Sequence, residues 1–250
     1  MDRSPPSADE TNLANNTTPA SKRGGPQVIP RPGRVGKGAP APWHELTSAQ
    51  RDLSIAAIRS AFERLGPAVR SPRESVVSRA SAVLAALYED AGETYVILTR
   101  RSAALRVHSG EVSFPGGRQE PGEDLMDTAK REAWEEIGLD PSGVEIIGEL
   151  DHLSTITSSS FIVPYVAVLD GRPHLSQNPS EVDAILHVPL QELADPTVFR
   201  EERWDVFGTQ RPIIFFELIG DTVWGATAAM LRQFLGLSTG TLGRGDLGHD

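Results

Sequence analysis

Residues 117–139 read GRQEPGEDLMDTAKREAWEEIGL, and the second half of this stretch is dense in carboxylates. Glu132, Glu135 and Glu136 stand at spacings of i, i+3 and i+4, which places their side chains on one face of a helix. Carboxylates this close repel one another, and a divalent cation would remove the repulsion because hard cations such as Mg²⁺ prefer carboxylate oxygens. The stretch therefore predicts a helix that carries a metal site, with a solvated acidic helix as the alternative.

The same stretch resembles the Nudix box, the signature of hydrolases that cut a nucleoside diphosphate linked to another group. The fixed positions of that signature are all filled, by Gly117, Glu123, Arg131, Glu132, Glu135, Glu136 and Gly138. The resemblance implies Mg²⁺ or Mn²⁺ as cofactor, held by Glu132, Glu136 and Glu135. It also implies an α/β fold, a Nudix-type α/β/α sandwich around a mixed β-sheet.

Helical geometry separates Glu123 from the metal-binding face. At roughly 100° per residue, Glu123 lies about 180° from Glu132 but only about 80° from Arg131. We therefore expect Glu123 to orient Arg131, which in turn holds the metal-binding carboxylates in place. Gly116 and Gly117 are expected to let the backbone turn sharply and approach the metal or the substrate closely.

The opposite side of the helix is predicted to pack on the sheet. Leu125, Ala129, Ala133 and Ile137 recur every four residues, which is typical of a buried helical stripe. For Trp134 the sequence favours packing over stacking on a substrate.

Residues 97–117, ILTRRSAALRVHSGEVSFPGG, resemble a second signature, the one that marks the coenzyme A diphosphatase branch of the Nudix family. The resemblance implies cleavage of CoA or acyl-CoA to 3′,5′-ADP and 4′-phosphopantetheine or its acyl form. CoA carries a pyrophosphate and a 3′-phosphate, so its site needs several cations. The candidates precede the box and are Arg100, Arg101, Arg106 and His108, with Arg106 placed first. A solvated strand end for the first two, and a structural hydrogen bond for His108, remain open alternatives.

The general base is expected outside the box, because Nudix enzymes often take it from a mobile loop. Glu181, in SQNPSEVDAILHVPL, is the candidate, and Glu111 is a second one because it lies close to the two glycines in sequence. A surface carboxylate without a catalytic role is the alternative for Glu181.

Composition narrows the remaining function classes. The formal net charge of the 250 residues is -10, which argues against general affinity for nucleic acid or an anionic membrane. The absence of cysteine excludes disulfides, thiolate catalysis and Cys-ligated zinc. No apolar run is long enough to span a bilayer and no signal-peptide core is present, so we expect a cytoplasmic protein. The expected partner is a small-molecule substrate, and a homodimer is possible.

Three regions are predicted along the chain. Residues 1–42 are rich in Pro, Gly and Ser and are predicted to be a disordered tail, residues 43–237 the catalytic domain, and residues 238–250 a flexible tail. Besides the helix of the box, two helices are predicted, one from Thr47 or Ser48 to Leu65 and one over 225–237. The predicted strands cover 76–88, 94–99, 143–150, 160–169, 183–188 and 212–218, with a long loop over 100–121.

Two other functions are weighed against a CoA diphosphatase. One is a Nudix hydrolase that acts on ADP-ribose, a dinucleotide or a nucleoside triphosphate, since branches of one fold diverge in substrate. The other is a non-catalytic nucleotide-binding module, which would have no reason to keep the whole acidic cluster.

Overall fold

The computed structural model describes residues 23–72, 80–105, 108–154 and 161–247. The helices are α1 (Ile55–Arg64), α2 (Leu125–Ile137), α3 (Leu190–Leu193) and α4 (Gly225–Thr239). The strands are β1 (Val35–Lys37), β2 (Ala80–Asp90), β3 (Glu93–Arg101), β4 (Val112–Ser113), β5 (Gly116–Arg118), β6 (Glu145–Glu149), β7 (Leu153–Ser154), β8 (Phe161–Val168), β9 (Val182–Pro189), β10 (Phe199–Val206), β11 (Thr209–Glu217) and β12 (Thr222–Trp224).

The main sheet is mixed. Its order is β4-β3-β2-β8-β6, with β5 on β2, β7 on β8 and β9 on β3. Strands β2 and β8 run parallel and join two antiparallel halves. A second, antiparallel sheet has the order β1-β10-β11-β12.

The two faces of the main sheet bury two separate cores, because side chains alternate along β2. Ala82, Leu84 and Ala86 face α2, where Ala129 and Ala133 are fully buried, as the four-residue repeat predicts. The other face packs against α1, α4 and the inner side of the second sheet. The arrangement is the predicted α/β/α sandwich around a mixed sheet. Trp134 differs from the prediction, because it is 54% exposed.

The first predicted helix begins later than the sequence indicates. Residues Ser48–Gln50 form only a 3₁₀ turn, and α1 starts at Ile55. The carboxylate of Asp52 accepts a hydrogen bond from the Ser54 N–H at 2.9 Å, and the Ser54 hydroxyl then caps α1. Such local side-chain bonds compete with helix formation, which explains the late start.

The six predicted strands are confirmed within one to three residues at their described ends, but six further strands were not predicted. The predicted loop 100–121 contains β4 and β5. Strand β10 reads FREERWDV, in which alternating charges hide the apolar period. Arg200 pairs with Glu217 and Arg203 with Glu201, so partners on the same sheet neutralise these charges.

The described part of the predicted N-terminal tail, residues 23–42, differs from a disordered segment. It lies along the second sheet, where the Gly24 N–H donates to the Leu218 carbonyl at 2.7 Å and β1 pairs with β10. Backbone and polar contacts hold it, which is why the sequence shows no apolar period there. Residues 1–22 lie outside the described residues, and the domain boundary near residue 43 stays a prediction.

The predicted C-terminal tail is also partly ordered. Helix α4 continues to Thr239, and Leu242 packs directly over Gly236, where a Cβ would lie 2.4 Å from its side chain. Arg244 donates to the Glu149 carbonyl at 2.9 Å and to the fully buried carboxylate of Asp151 at 3.1 Å. A buried carboxylate requires such partners, and the sequence gives no sign of a contact 93 residues away. Within the described ranges, no helix is long and apolar enough to cross a membrane.

Candidate active site

Helix α2 presents the acidic face because local hydrogen bonds fix both of its ends. The Asp124 carboxylate caps its N-terminus. Gly138 ends it at φ 67°, a left-handed conformation that glycine adopts without strain. The Asn178 N–H then donates to the Glu136 carbonyl at 2.8 Å, so the loop 176–181 is attached to the C-terminal end of the helix.

Arg131 organises the acidic face. Its Nε donates to Glu123 at 2.8 Å, and its Nη1 donates to both Glu132 and Glu135 at 3.0 Å. The guanidinium holds the pKa of Glu123 down to about 2, and the carboxylates raise the pKa of Arg131. The predicted contact between Glu123 and Arg131 is confirmed, and one arginine aligns two of the three predicted metal ligands.

Gly116 and Gly117 bring the backbone against the acidic face through β5. Gly116 has φ 152°, and a Cβ there would lie 2.4 Å from the Ala82 carbonyl oxygen. At Gly117 a Cβ would lie 2.5 Å from the Glu132 carboxylate. Gly116 therefore requires glycine for its backbone conformation, whereas a side chain at Gly117 would displace the Glu132 carboxylate.

Glu136 is the buried carboxylate of the cluster, at 4% exposed. Burial raises its pKa to about 7, against the hydrogen bond from Gly116 N–H at 3.3 Å and the nearby charge of Arg101. The Arg101 Nη1 lies 3.9 Å from the Glu136 Oε1. Burial also raises the pKa of Glu132, whose carboxylate adds to the repulsion at Glu136.

Glu181 lies close to this cluster. Its negative charge raises the pKa of both Glu132 and Glu136. Its backbone carbonyl accepts a hydrogen bond from Ser102 N–H at 2.8 Å, which ties its loop to the end of β3. The structure thus brings Glu181 beside the helix from 45 residues away in the chain.

The donor set fits a hard divalent cation. It consists of carboxylate oxygens. In two of these side chains, Glu132 and Glu136, burial and repulsion from neighbouring carboxylates raise the pKa. Among the described residues, no three acidic or histidine side chains converge on one point. Arg131 engages Glu132 and Glu135 while Arg101 faces Glu136, so arginines neutralise these carboxylates in this arrangement.

The cations before the box have different surroundings. Arg100 turns away from the acidic face and forms two hydrogen bonds, at 2.8 and 2.7 Å, with the buried carboxylate of Asp221. Arg101 faces Glu136, and among the described residues its buried Nε has no hydrogen-bond partner. His108 contacts Glu111 at 2.8 Å and has φ 57°, a strained value for a residue with a side chain. Arg106 lies outside the described residues.

Arg100 is therefore not a free cation for a substrate, and Asp221 is the residue that sequence reasoning missed. The partners are 121 residues apart, and nothing in the sequence around Asp221 distinguishes it from a solvated turn. Asp221 is only 4% exposed, and it meets Arg100 only because the second sheet brings the two residues together.

Comparisons with known proteins identify relatives of this chain. A family model described as NUDIX domain matches residues 78–207. Nudix hydrolase 3 of Caenorhabditis elegans is 35% identical over 190 residues, which cover 68% of this chain and 79% of the relative. Nudix hydrolase 22, chloroplastic, of Arabidopsis thaliana is 40% identical over 164 residues, which cover 60% of this chain.

Nudix hydrolase 15, mitochondrial, of Arabidopsis thaliana is 38% identical and covers 68% of this chain. The chain spans only 52% and 61% of the lengths of these two Arabidopsis relatives. A solved NUDIX domain, that of Shewanella oneidensis NrtR complexed with ADP ribose, aligns with a TM-score of 0.40 at 18% identity, over 49% of this chain and 80% of that one.

Proposed function

We propose that this chain, which belongs to the Nudix family, hydrolyses the pyrophosphate of CoA or acyl-CoA to 3′,5′-ADP and 4′-phosphopantetheine or its acyl form. The observation that supports it is the position of Arg101. This residue belongs to the stretch that resembles the CoA diphosphatase signature, and its guanidinium faces the buried Glu136 of the box helix. The two signatures thus form one surface.

A divalent cation at Glu132, Glu136 and Glu135 would neutralise the pyrophosphate oxygens and lower the pKa of the attacking water. Nudix hydrolases generally use divalent metals, and Mg²⁺ or Mn²⁺ is the choice for this donor set. Arg131 acts by alignment, because it contacts two of the carboxylates and is itself held by Glu123.

Glu181 is the proposed general base. Its loop is attached to the box helix through Asn178 and to β3 through Ser102, so the carboxylate is held beside the acidic face. Glu111, the second candidate, is engaged by His108 at 2.8 Å. A carboxylate beside the cluster is better placed to accept a proton from water than one committed to an imidazole.

The substrate phosphates are proposed to contact Arg101, Arg106 and His108, with the backbone of Gly116 and Gly117 beside them. The Arg101 side chain is 30% exposed, so its guanidinium is accessible to a phosphate as well as facing Glu136.

A second substrate class is another nucleoside diphosphate derivative, such as ADP-ribose, a dinucleotide or a nucleoside triphosphate. The observation in its favour is that Asp221 neutralises Arg100. Of Arg100 and Arg101, only Arg101 then faces the acidic cluster. CoA carries a 3′-phosphate that ADP-ribose lacks, so it needs more cations than ADP-ribose does.

The test is the ratio of kcat/KM values across a panel of CoA, acetyl-CoA, ADP-ribose, a dinucleotide and ATP with Mg²⁺ and with Mn²⁺. We expect CoA or acetyl-CoA to exceed every other compound by at least about tenfold. A wide preference for ADP-ribose would contradict the CoA proposal and support the second class. A homodimer and a cytoplasmic location remain predictions.

A further inference from the structure

An N-terminal strap, residues 23–38, lies on the second sheet and reaches the loop before the box. Its ends are fixed by Gly24, which donates to the Leu218 carbonyl at 2.7 Å, and by β1. At Gly25 the strap is in close contact with the sheet, since a Cβ there would lie 2.5 Å from the Cα of Asp221.

Gln27 uses both of its N–H donors and its carbonyl oxygen to connect the strap, the segment at Gly110 and the second sheet. Its Nε2 donates to the Asp221 carboxylate at 2.7 Å and to the Gly110 carbonyl at 3.2 Å. Its Oε1 accepts from Thr222 N–H at 2.8 Å. Gly110 belongs to the described segment 108–111 before the box, so Gln27 joins this segment to the second sheet.

Gly110 and Glu111 form backbone hydrogen bonds with Arg101. The Gly110 N–H donates to the Arg101 carbonyl at 3.1 Å, and the Arg101 N–H donates to the Glu111 carbonyl at 2.9 Å. Asp221, to which Gln27 donates, also receives two hydrogen bonds from the neighbouring Arg100. Gln27 is thus attached to both sides of the residue whose guanidinium faces Glu136.

We propose that Gln27 is a positioning residue, which fixes residues 108–111 and thereby the placement of Arg101 against the substrate phosphates. The proposal rests on the proposed function in so far as it concerns a pyrophosphate substrate. This hydrogen-bond network uses residues outside the matched domain, since Gln27, Asp221 and Thr222 all lie outside residues 78–207.

The experiment compares Gln27→Met with Arg31→Met in the full chain. Methionine keeps the length of glutamine and removes its hydrogen bonds. Arg31 lies in the same strap and binds Glu202 at 2.9 Å, and it forms no hydrogen bond to the described residues 108–111, so it controls for loosening of the strap alone. The measurements are amide hydrogen exchange at Arg101 and Gly110, the melting temperature, and kcat and KM for the substrate that the panel identifies.

For Gln27→Met we expect exchange at Gly110 and Arg101 to accelerate about tenfold and KM to rise about fivefold, with kcat within twofold of wild type. These factors follow from the loss of hydrogen bonds whose net contributions are modest. Arg31→Met should leave exchange and KM within twofold. Equal KM changes in the two variants, or unchanged exchange at Gly110 in Gln27→Met, would overturn the proposal. The exchange measurement requires no substrate. Failure to cleave CoA would therefore contradict the proposed function, whereas the exchange rates at Gly110 and Arg101 would still test the role of Gln27.

Discussion

At the scale of single residues, the spacing of the box predicts contacts that the fold then makes. Helical geometry predicts that Glu123 meets Arg131, and the two side chains are in contact at 2.8 Å, although Glu123 lies just before the start of α2. The partner of Arg100 could not be predicted, because Asp221 approaches it only through the second sheet. Contacts between residues close in sequence can be predicted, whereas contacts between distant segments depend on the whole fold.

Replacing Gly117 by alanine tests the close approach to Glu132. The new Cβ would lie 2.5 Å from the carboxylate and displace it, and we expect kcat/KM to fall about 100-fold. Gly143→Ala is the matched control, since a Cβ there meets nothing within 4 Å. Both variants should keep the wild-type melting temperature within a few degrees. Full activity in Gly117→Ala would show that Glu132 does not need its present position.

The contact between Glu123 and Arg131 predicts a dependence of stability on pH. The folded pKa of Glu123 is about 2, below the ordinary value of 4.5, so its contribution is complete above pH 4.5 and is lost as the pH falls toward 2. After allowance for screening by water, we expect about 1 kcal/mol. Urea unfolding of wild type and Glu123→Gln should therefore differ at pH 7 and converge toward pH 2.

The control for this titration is Glu45→Gln, because Glu45 has a side chain that is 87% exposed. It should follow the wild-type free energy of unfolding at every pH. A Glu123→Gln curve that also parallels wild type from pH 7 to pH 2 would show that the contact with Arg131 contributes nothing to stability.

At the scale of elements, the apolar strands were predictable and the charged ones were not. The period of 3.6 indicates α2, whereas continuous apolar runs indicate β2 and β8, because both faces of these central strands are buried. Strand β10 escapes this pattern, since Arg200, Glu201 and Arg203 are neutralised by neighbours on the sheet. The loop 176–181 has no pattern of its own, and the α2 carbonyl that binds Asn178 fixes its position.

The attachment of this loop predicts which carboxylate accepts the proton. We expect Glu181→Gln to lower kcat by about 100-fold or more with little change in KM, as the loss of a general base does. Glu111→Gln is the paired variant and should retain kcat within about threefold. The reverse ranking of the two kcat values, measured at saturating metal, would assign the base to Glu111.

At the scale of the whole molecule, the sequence predicts the sandwich but assigns too little of the chain to it. Residues 23–42 and 238–247 are held mainly by backbone and polar groups and by isolated apolar contacts such as Leu242, so they carry no apolar period. Composition measures the capacity to bury apolar surface, so it misses segments that are held by hydrogen bonds.

Arg244→Ala tests whether the C-terminal segment contributes to the fold. It leaves the fully buried Asp151 without its cation, and we expect a loss of about 2–3 kcal/mol in the free energy of unfolding by urea. Arg172→Ala, which removes an exposed ion pair with Asp90, should cost less than about 0.5 kcal/mol. Equal losses in the two variants would place residues 240–247 outside the cooperative unit.

The central claim is that the box helix and the preceding loop form one metal-dependent site for CoA. Its most direct test is mass-spectrometric product analysis after incubation of CoA with the protein and Mg²⁺ or Mn²⁺, beside Glu136→Gln and a control without metal. We predict 3′,5′-ADP and 4′-phosphopantetheine from the wild-type protein with metal, and intact CoA in both controls. Intact CoA in the wild-type reaction with metal, or equal cleavage by Glu136→Gln, would contradict the account.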